Sequence, residues 1–221
     1  MQIVLASASP RRTALLAQAG IAHRVMAGNV DESISDWTDV GAAVTKLALR
    51  KAHAVAAKLA PGEQVHDLGR GAGAVSEAAL PEAVVIGADT VVAVDDRVLG
   101  KPGDVSEARA MLGRLAGRSH DVFTGVALVV AGNAKVRSGY ERTRVVMRPL
   151  SAAVIAAYAA TGEGLDKAGA YAIQGMAGGF VTRIDGDPHN VIGLPLGLVV
   201  TWLEELGYPW LCGDSRQARE H

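Results

Sequence analysis

Two adjacent arginines, Arg11 and Arg12, stand at the start of a predicted helix, where cations are normally unfavourable. The preceding residues suit a helix start, with Ser9 as the cap and Pro10 at the first helical position. The first turn favours anions, because its free N–H groups carry partial positive charge. A phosphate bound there would explain the arginines, since hydroxyl, guanidinium and N–H groups would converge on it. The alternative is that both arginines project into solvent.

A carboxylate interrupts the strongly apolar strand that we predict over residues 83–94. Asp89 lies in its middle, where a charged side chain is unfavourable unless it is paired or binds a metal. Gly87 and Ala88 have little bulk, and we expect them to leave room for a ligand. The alternative is a buried structural ion pair, and we favour a functional carboxylate.

Two lysines are further candidates for a charged site. Lys51 lies on the apolar face of the predicted helix 40–60, four residues after Leu47, whereas Lys46 fits the solvated face. Lys51 therefore either reaches a site or extends its amine to water along its aliphatic stem. Lys101 follows the Asp89 hairpin on a rigid turn, and this position alone indicates little.

The glycine-rich stretch 162–179 carries side chains that suit a ring with polar edges, namely Asp166, Lys167, Tyr171 and Gln174. The arginines and lysines could hold a polyphosphate, and the carboxylates a hard cation and a water. Such groups are typical of sites for metal-assisted phosphoanhydride chemistry, although the residues do not indicate which bond breaks. The scattered histidines argue against a histidine metal site, and the absence of GxSxG argues against a serine hydrolase.

Strands and helices must alternate to position these residues. We expect strands near 2–6, 21–26, 83–94, 97–99, 120–131, 134–147 and 180–184, and helices near 10–19, 40–60, 105–116, 152–160 and 196–206. This mixture predicts an α/β fold with a mixed sheet. We predict one domain over 1–212 with an inserted surface loop at 62–82, followed by a disordered polar tail at 213–221.

Composition limits the partners. The 221 residues include 22 Lys and Arg against 23 Asp and Glu, so bulk attraction to nucleic acid or an anionic membrane is not expected. Apolar runs such as 126–131 are far shorter than the ~20 residues of a membrane helix. The single cysteine, Cys212, and the lack of a visible targeting segment lead us to expect a cytoplasmic protein.

Together, these residues resemble the Maf family of nucleotide pyrophosphatases. The matching motifs include Ser-Pro-Arg-Arg at 9–12, Gly-Ala-Asp-Thr at 87–90, Gly-Lys-Pro at 100–102 and Ala-Tyr-Ala-Ile-Gln-Gly at 170–175. With further matches at 31–32, 51–52, 124–126 and 190–195, they follow the family's order across about residues 2–206. The resemblance implies a Maf/inosine-triphosphatase-like fold, in which an elongated mixed sheet flanked by helices forms two lobes around a cleft.

The resemblance also implies an activity and its residues. The reaction would be hydrolysis of a nucleoside triphosphate to the monophosphate and pyrophosphate, with a divalent cation, Mg or Mn. Asp89 would accept a proton, and Glu32 would help it hold the metal. The implied catalytic residues are Asp89, Glu32, Lys51 and Lys101, and the implied substrate-binding residues are Ser7, Arg11, Arg12, Thr90 and Gln174. Among these, Arg12, Lys51 and Lys101 would hold phosphates, and Arg11, Thr90 and Gln174 would stand at specificity positions.

The motifs at 9–12 and 170–175 are similar to the branch that acts on dTTP and UTP, not to the branch favouring 7-methyl-GTP. Two segments depart from the family pattern: the long loop at 62–82, and residues 186–189, which replace a small–aromatic–small sequence. Two other functions stay open, a nucleotide-binding regulator of cell division or septum formation and a house-cleaning pyrophosphatase for modified nucleotides. The partner that we expect is the nucleotide substrate, and a homodimer is compatible with the resemblance.

Overall fold

The computed structural model describes residues 1–59 and 83–211. The strands in these ranges are β1 (Gln2–Leu5), β2 (His23–Val25), β3 (Ala83–Val94), β4 (Arg97–Leu99), β5 (Ser119–Val130), β6 (Val136–Met147) and β7 (Val181–Asp185). The helices are α1 (Pro10–Gln18), α2 (Val40–Leu59), α3 (Val105–Leu115), α4 (Ala152–Ala160), α5 (Pro188–Ile192) and α6 (Leu196–Glu205). The predicted loop at 62–82 and the predicted tail at 213–221 lie outside the described residues.

A single mixed sheet of seven strands carries the fold, in the order β2-β1-β3-β5-β6-β7, with β4 beside the end of β3. The strands β2, β1 and β3 are parallel neighbours, whereas β3, β5, β6 and β7 are antiparallel neighbours. The expected α/β fold with a mixed sheet is confirmed. Among the described helices, none has the length and apolarity needed to cross a membrane.

The sheet has a gap along one edge of β3. On that edge β1 pairs with β3 up to Ile86, and β4 pairs with it from Val92 onward. On the opposite edge, β5 pairs with β3 from Val84 to Ala93 without interruption. Residues 87–91 of β3, including Asp89, therefore lack a strand neighbour on one side within the described ranges.

Apolar cores on the two sides of this gap form two lobes. In one lobe, α1 and α6 pack on one face of β1, β3 and β5, and α2 packs on the other face. In the other lobe, α3, α4 and the segment 168–180 pack against the later parts of β3 and β6 and the start of β5. The gap at 87–91 lies where these two cores meet, so it forms the floor of a cleft.

Two glycines allow α2 to lie directly on the sheet. A Cβ on Gly87 would stand 2.2 Å from the carbonyl oxygen of Ala48, and one on Gly125 would stand 2.2 Å from the backbone of Val44. The expectation that Gly87 leaves room for a ligand is therefore wrong, because the room is taken by α2. Ala88 leaves no room for a ligand either, because its side chain is packed in the apolar core on the opposite face of the sheet.

Two helix starts differ in how they are capped. Ser9 occupies the N-cap position of α1, as expected, but its side chain makes no capping hydrogen bond. At α2, by contrast, the Asp39 carboxylate accepts a hydrogen bond from the N–H of Ala42 at 2.9 Å. The Ser9 hydroxyl at the start of α1 is therefore not used for capping, and it lies beside the cleft.

Candidate active site

A cleft of about 660 Å³ opens over the gap in β3. Its walls come from both lobes: the β1–α1 turn, the segment after β2, α2 and β3 on one side, and residues 100–101 and 166–174 on the other, with 191–193 between the two cores. All of the predicted site residues line it, namely Ser7, Arg11, Arg12, Glu32, Lys51, Asp89, Thr90, Lys101 and Gln174. The structure therefore brings together residues that are up to 167 positions apart in the chain.

Lys51 joins the two predicted metal ligands. Its Nζ lies 2.6 Å from Oδ1 of Asp89 and 2.9 Å from Oε1 of Glu32. Only 9% of Lys51 is exposed, so the alternative of an amine extended into bulk water is wrong. The alternative of an ion pair at Asp89 is present in the structure. This pair lies on the cleft, however, and a buried ion pair is by itself weak evidence of a stabilising role.

Arg12 is buried and joins three segments of the cleft wall. Its Nε donates to the carbonyl oxygen of Gly193 at 2.8 Å, Nη1 donates to Oγ of Ser7 at 2.9 Å, and Nη2 donates to Oγ1 of Thr90 at 3.1 Å. Burial lowers the pKa of the Arg12 guanidinium, and the nearby Asp89 carboxylate opposes that shift. A guanidinium has five N–H donors, so Arg12 keeps two for a bound anion. The alternative that both arginines project into solvent is therefore wrong for Arg12. Arg11 is half-buried at the cleft.

The hydroxyl of Thr90 has a fixed direction. Thr124 donates to the carbonyl oxygen of Asn190 at 3.0 Å, so its single proton is already used. The 2.9 Å contact between the two threonine hydroxyls must therefore be donated by Thr90. Because Thr90 also accepts from Arg12, it can offer a ligand only its remaining lone pair. Thr124 and Asn190 were not predicted to take part in the site, although both stand in segments that match the family motifs.

The second lobe contributes an exposed lysine and the glycine-rich segment. Lys101 is exposed at the cleft, where the carbonyl of Gly100 accepts from the N–H of Gly169 at 3.0 Å. Asp166 and Lys167 form an ion pair with each other at the cleft wall. Gln174 is exposed at the cleft.

Tyr171, one of the side chains predicted to suit a ring with polar edges, uses its hydroxyl within the second lobe. Its hydroxyl lies 2.9 Å from Nε2 of His120, in the interior of the second lobe. Tyr171 still lines the cleft, and both residues are buried. Its hydroxyl is already paired with His120 and is not free for a ligand. Trp37 also lines the cleft and was not predicted from the sequence.

Two carboxylates on the cleft fit a hard divalent cation. Asp89 and Glu32 contact the same Lys51 ammonium group, so their oxygens already share one cation. No group of three or more His, Cys, Asp or Glu side chains that could hold a metal occurs in the described ranges. Magnesium suits such a sparse donor set, because it commonly takes one or two carboxylates and completes its coordination with water and substrate phosphates.

Comparison with known proteins gives consistent matches over nearly the whole chain. Residues 2–206 match the family described as Maf-like protein. The chain is 46% identical over 214 residues to a dTTP/UTP pyrophosphatase of Symbiobacterium thermophilum, with 97% of this chain and 98% of that protein covered. It is 47% identical over 207 residues to a dTTP/UTP pyrophosphatase of Myxococcus xanthus, with 94% and 93% covered. With family motifs, fold and full-length relatives in agreement, this chain belongs to the Maf-like protein family.

Proposed function

We propose that this protein hydrolyses nucleoside triphosphates to the nucleoside monophosphate and pyrophosphate, with dTTP and UTP as its preferred substrates. The observation that carries this proposal is the convergence of cations and two joined carboxylates on one cleft. Five basic side chains line that cleft: Arg11, Arg12, Lys51, Lys101 and Lys167. The relatives named dTTP/UTP pyrophosphatase support both the reaction and the substrates.

The phosphate chain is held from both lobes. Arg12 uses its two free N–H groups, and Lys101 reaches across from the opposite wall. Ser9 adds its uncommitted hydroxyl at the start of α1, where the helix end itself favours an anion. Cations that converge on a triphosphate neutralise the charge that develops on the leaving pyrophosphate.

Asp89 accepts the proton in this proposal. A water molecule gives up its proton to the carboxylate as its oxygen bonds to the α-phosphorus. The bond from the α-phosphorus to the bridging oxygen then breaks, and pyrophosphate leaves with that electron pair. Lys51 holds one oxygen of Asp89 at 2.6 Å, which fixes the direction of the carboxylate.

A divalent cation, Mg or Mn, belongs to the same proposal. Asp89 and Glu32 would hold it, and the phosphates and water would supply its other ligands. When bound, such a cation neutralises phosphate charge and polarises a phosphoryl oxygen.

Base selectivity is assigned to Gln174, Thr90 and Arg11. The Gln174 amide offers a donor and an acceptor, which match the adjacent carbonyl and N–H edge of uracil or thymine. In that orientation of the amide, cytosine and adenine leave the pattern unpaired, which disfavours them. Thr90 offers only an acceptor, because its proton is directed to Thr124.

The test is pyrophosphate release from dTTP, UTP, CTP, GTP and 7-methyl-GTP, each with Mg, Mn or a chelator. We expect the highest kcat/KM for dTTP and UTP and no turnover with the chelator. A preference for 7-methyl-GTP would overturn the substrate assignment and leave the reaction in place. Nucleotide binding without release from any substrate would instead favour a nucleotide-binding regulator of cell division or septum formation.

A further inference from the structure

The backbone on both sides of Gln174 is anchored from behind the cleft wall. Two residues before it, the N–H of Ala172 donates to the hydroxyl of Tyr158 at 3.1 Å. Two residues after it, the N–H of Met176 donates to Oε2 of Glu163 at 3.1 Å. The anchors are themselves joined, since the Tyr158 hydroxyl lies 2.9 Å from Oε1 of Glu163.

The direction of each hydrogen bond in this network is fixed. A carboxylate only accepts, so Tyr158 donates its proton to Glu163 and accepts from Ala172. Burial raises the pKa of the Tyr158 hydroxyl above its usual value, so this donor keeps its proton across the ordinary pH range. The ring of Tyr158 is held edge-on against Phe180, with the ring centroids 5.1 Å apart. The Tyr158 hydroxyl, which accepts from the N–H of Ala172, is therefore held in a fixed position.

The segment also packs directly on the Glu163 carboxylate. A Cβ on Gly175 would lie 2.4 Å from Oε1 of Glu163, so a side chain at this position would displace the carboxylate from its present place. The Gly175 φ angle is −109°, which any residue adopts, so close contact is the reason for the glycine. Neither Tyr158 nor Glu163 lines the cleft.

Gln174 itself is exposed, and the structure gives its side chain no hydrogen bond to any described residue. The position of the Gln174 side-chain amide therefore depends on the position of the backbone at residues 172–176. Small displacements of a recognising group weaken catalysis and selectivity strongly, because the group must meet its partner at hydrogen-bond distance.

We propose that Tyr158 and Glu163 are positioning residues for Gln174, and that they set the base selectivity of the cleft without touching the nucleotide. This inference rests on the proposed function, because it assigns the base edge to Gln174. It makes selectivity depend on two side chains that lie behind the cleft wall.

The experiment compares Tyr158→Phe, Glu163→Gln and Glu163→Ala with the wild type. Tyr158→Phe keeps the ring and removes only the hydroxyl, so the ratio of kcat/KM for dTTP over CTP should fall by about three- to tenfold, the effect of one hydrogen bond. Glu163→Gln keeps an acceptor for Met176 and should lie between the wild type and Glu163→Ala. Tyr140→Phe removes a tyrosine hydroxyl from β6, outside the residues that line the cleft, so it is the matched control and should keep the wild-type ratio.

Two readouts separate positioning from a general loss of stability. In a Gln174→Ala background, adding Tyr158→Phe should leave the ratio unchanged, because the positioned group is already gone. Amide hydrogen exchange should become faster at Ala172 in Tyr158→Phe and at Met176 in Glu163→Ala.

The outcomes distinguish this inference from the proposed function. An unchanged exchange rate at both amides, or an equal loss for dTTP and CTP in both backgrounds, would overturn the positioning role while turnover by the wild type stands. A wild type that releases no pyrophosphate would overturn the proposed function, and the exchange rates would still decide whether Tyr158 and Glu163 hold the segment.

Discussion

The Nζ atom of Lys51 lies 2.6 Å from Oδ1 of Asp89, which joins the middle of α2 to the unpaired edge of β3. This contact exists because Gly87, two residues before Asp89, lets α2 lie directly on the strand. Asp89 then emerges beside the helix at the one stretch of β3 where neither β1 nor β4 covers the edge. The contact with Lys51 therefore pairs the charge of Asp89 on the cleft itself.

Asp89→Asn should remove the proton acceptor while keeping the shape of the side chain. We expect kcat for dTTP to fall by roughly 10²–10⁴, because the amide is neither basic nor charged. The measurement is steady-state pyrophosphate release, with circular dichroism to establish that the variant is folded. Asp185→Asn changes an exposed aspartate of β7 and serves as the control with normal turnover. A folded Asp89→Asn enzyme with near-normal kcat would remove Asp89 from the mechanism.

Lys51→Ala should impair turnover far more than Lys46→Ala, although the two lysines are five residues apart on one helix. Lys51 contacts both carboxylates, whereas Lys46 is exposed. Removing Lys51 leaves Asp89 and Glu32 without their shared cation and takes one positive charge from the cleft, so kcat/KM should fall by roughly 10–10³. Equal losses in the two variants would show that the proposed role of Lys51 is wrong.

Gly87→Ala should destabilise the protein by forcing α2 away from β3. The new Cβ would meet the backbone of Ala48 and Ala52 at 2.2 and 2.8 Å, and overpacking of this kind costs about 1–3 kcal/mol. The measurement is the free energy of unfolding in urea, with dTTP turnover measured on the same samples.

The control is Gly113→Ala on the exposed side of α3, where a Cβ would meet nothing within 4 Å. It should stabilise the protein by about 0.4–1 kcal/mol, because alanine favours the helix and restricts the unfolded chain. If Gly87→Ala were as stable as Gly113→Ala, the close approach of α2 to β3 would not limit this fold.

The sequence predicted the strands, the main helices and the cleft residues because each has a local pattern. Asp89 and Lys51 stand out as charges among apolar neighbours, and Arg11 and Arg12 stand out at a helix start. These patterns are readable without knowing which elements are adjacent. The family motifs then placed the residues in one cleft before any contact was known.

The reason for Gly87 and the networks around Thr124 and Tyr158 were not predictable in this way. Each depends on a contact between residues far apart in the chain, such as Thr90 with Thr124 or Gly87 with Ala48. A small residue beside a carboxylate is compatible with a ligand or with a helix, and only the packing of α2 decides between them. Likewise, the sequence does not indicate that the Tyr171 hydroxyl contacts His120, because the two residues are 51 positions apart.

His120 should make the protein less stable as the pH falls below about 6.5. Burial lowers the pKa of His120 to about 4, with the nearby Asp121 acting in the opposite direction. The unfolded chain binds this proton near pH 6.5, whereas the folded protein resists it until about pH 4. The stabilising effect of a neutral His120 is therefore complete above pH 6.5 and is lost as the pH falls to 4, a change of about 3 kcal/mol.

The measurement is the free energy of unfolding in urea at several pH values between 7 and 4, for the wild type, His120→Gln and His53→Gln. Carboxylates titrate similarly in all three proteins, so the difference from the wild type isolates the substituted histidine. His120→Gln should lose less stability than the wild type over this range, since glutamine can still hydrogen-bond Tyr171 and does not take up a proton. His53 is exposed on α2, so His53→Gln should follow the wild-type curve. Parallel curves for the wild type and His120→Gln would show that His120 is not held neutral by its burial.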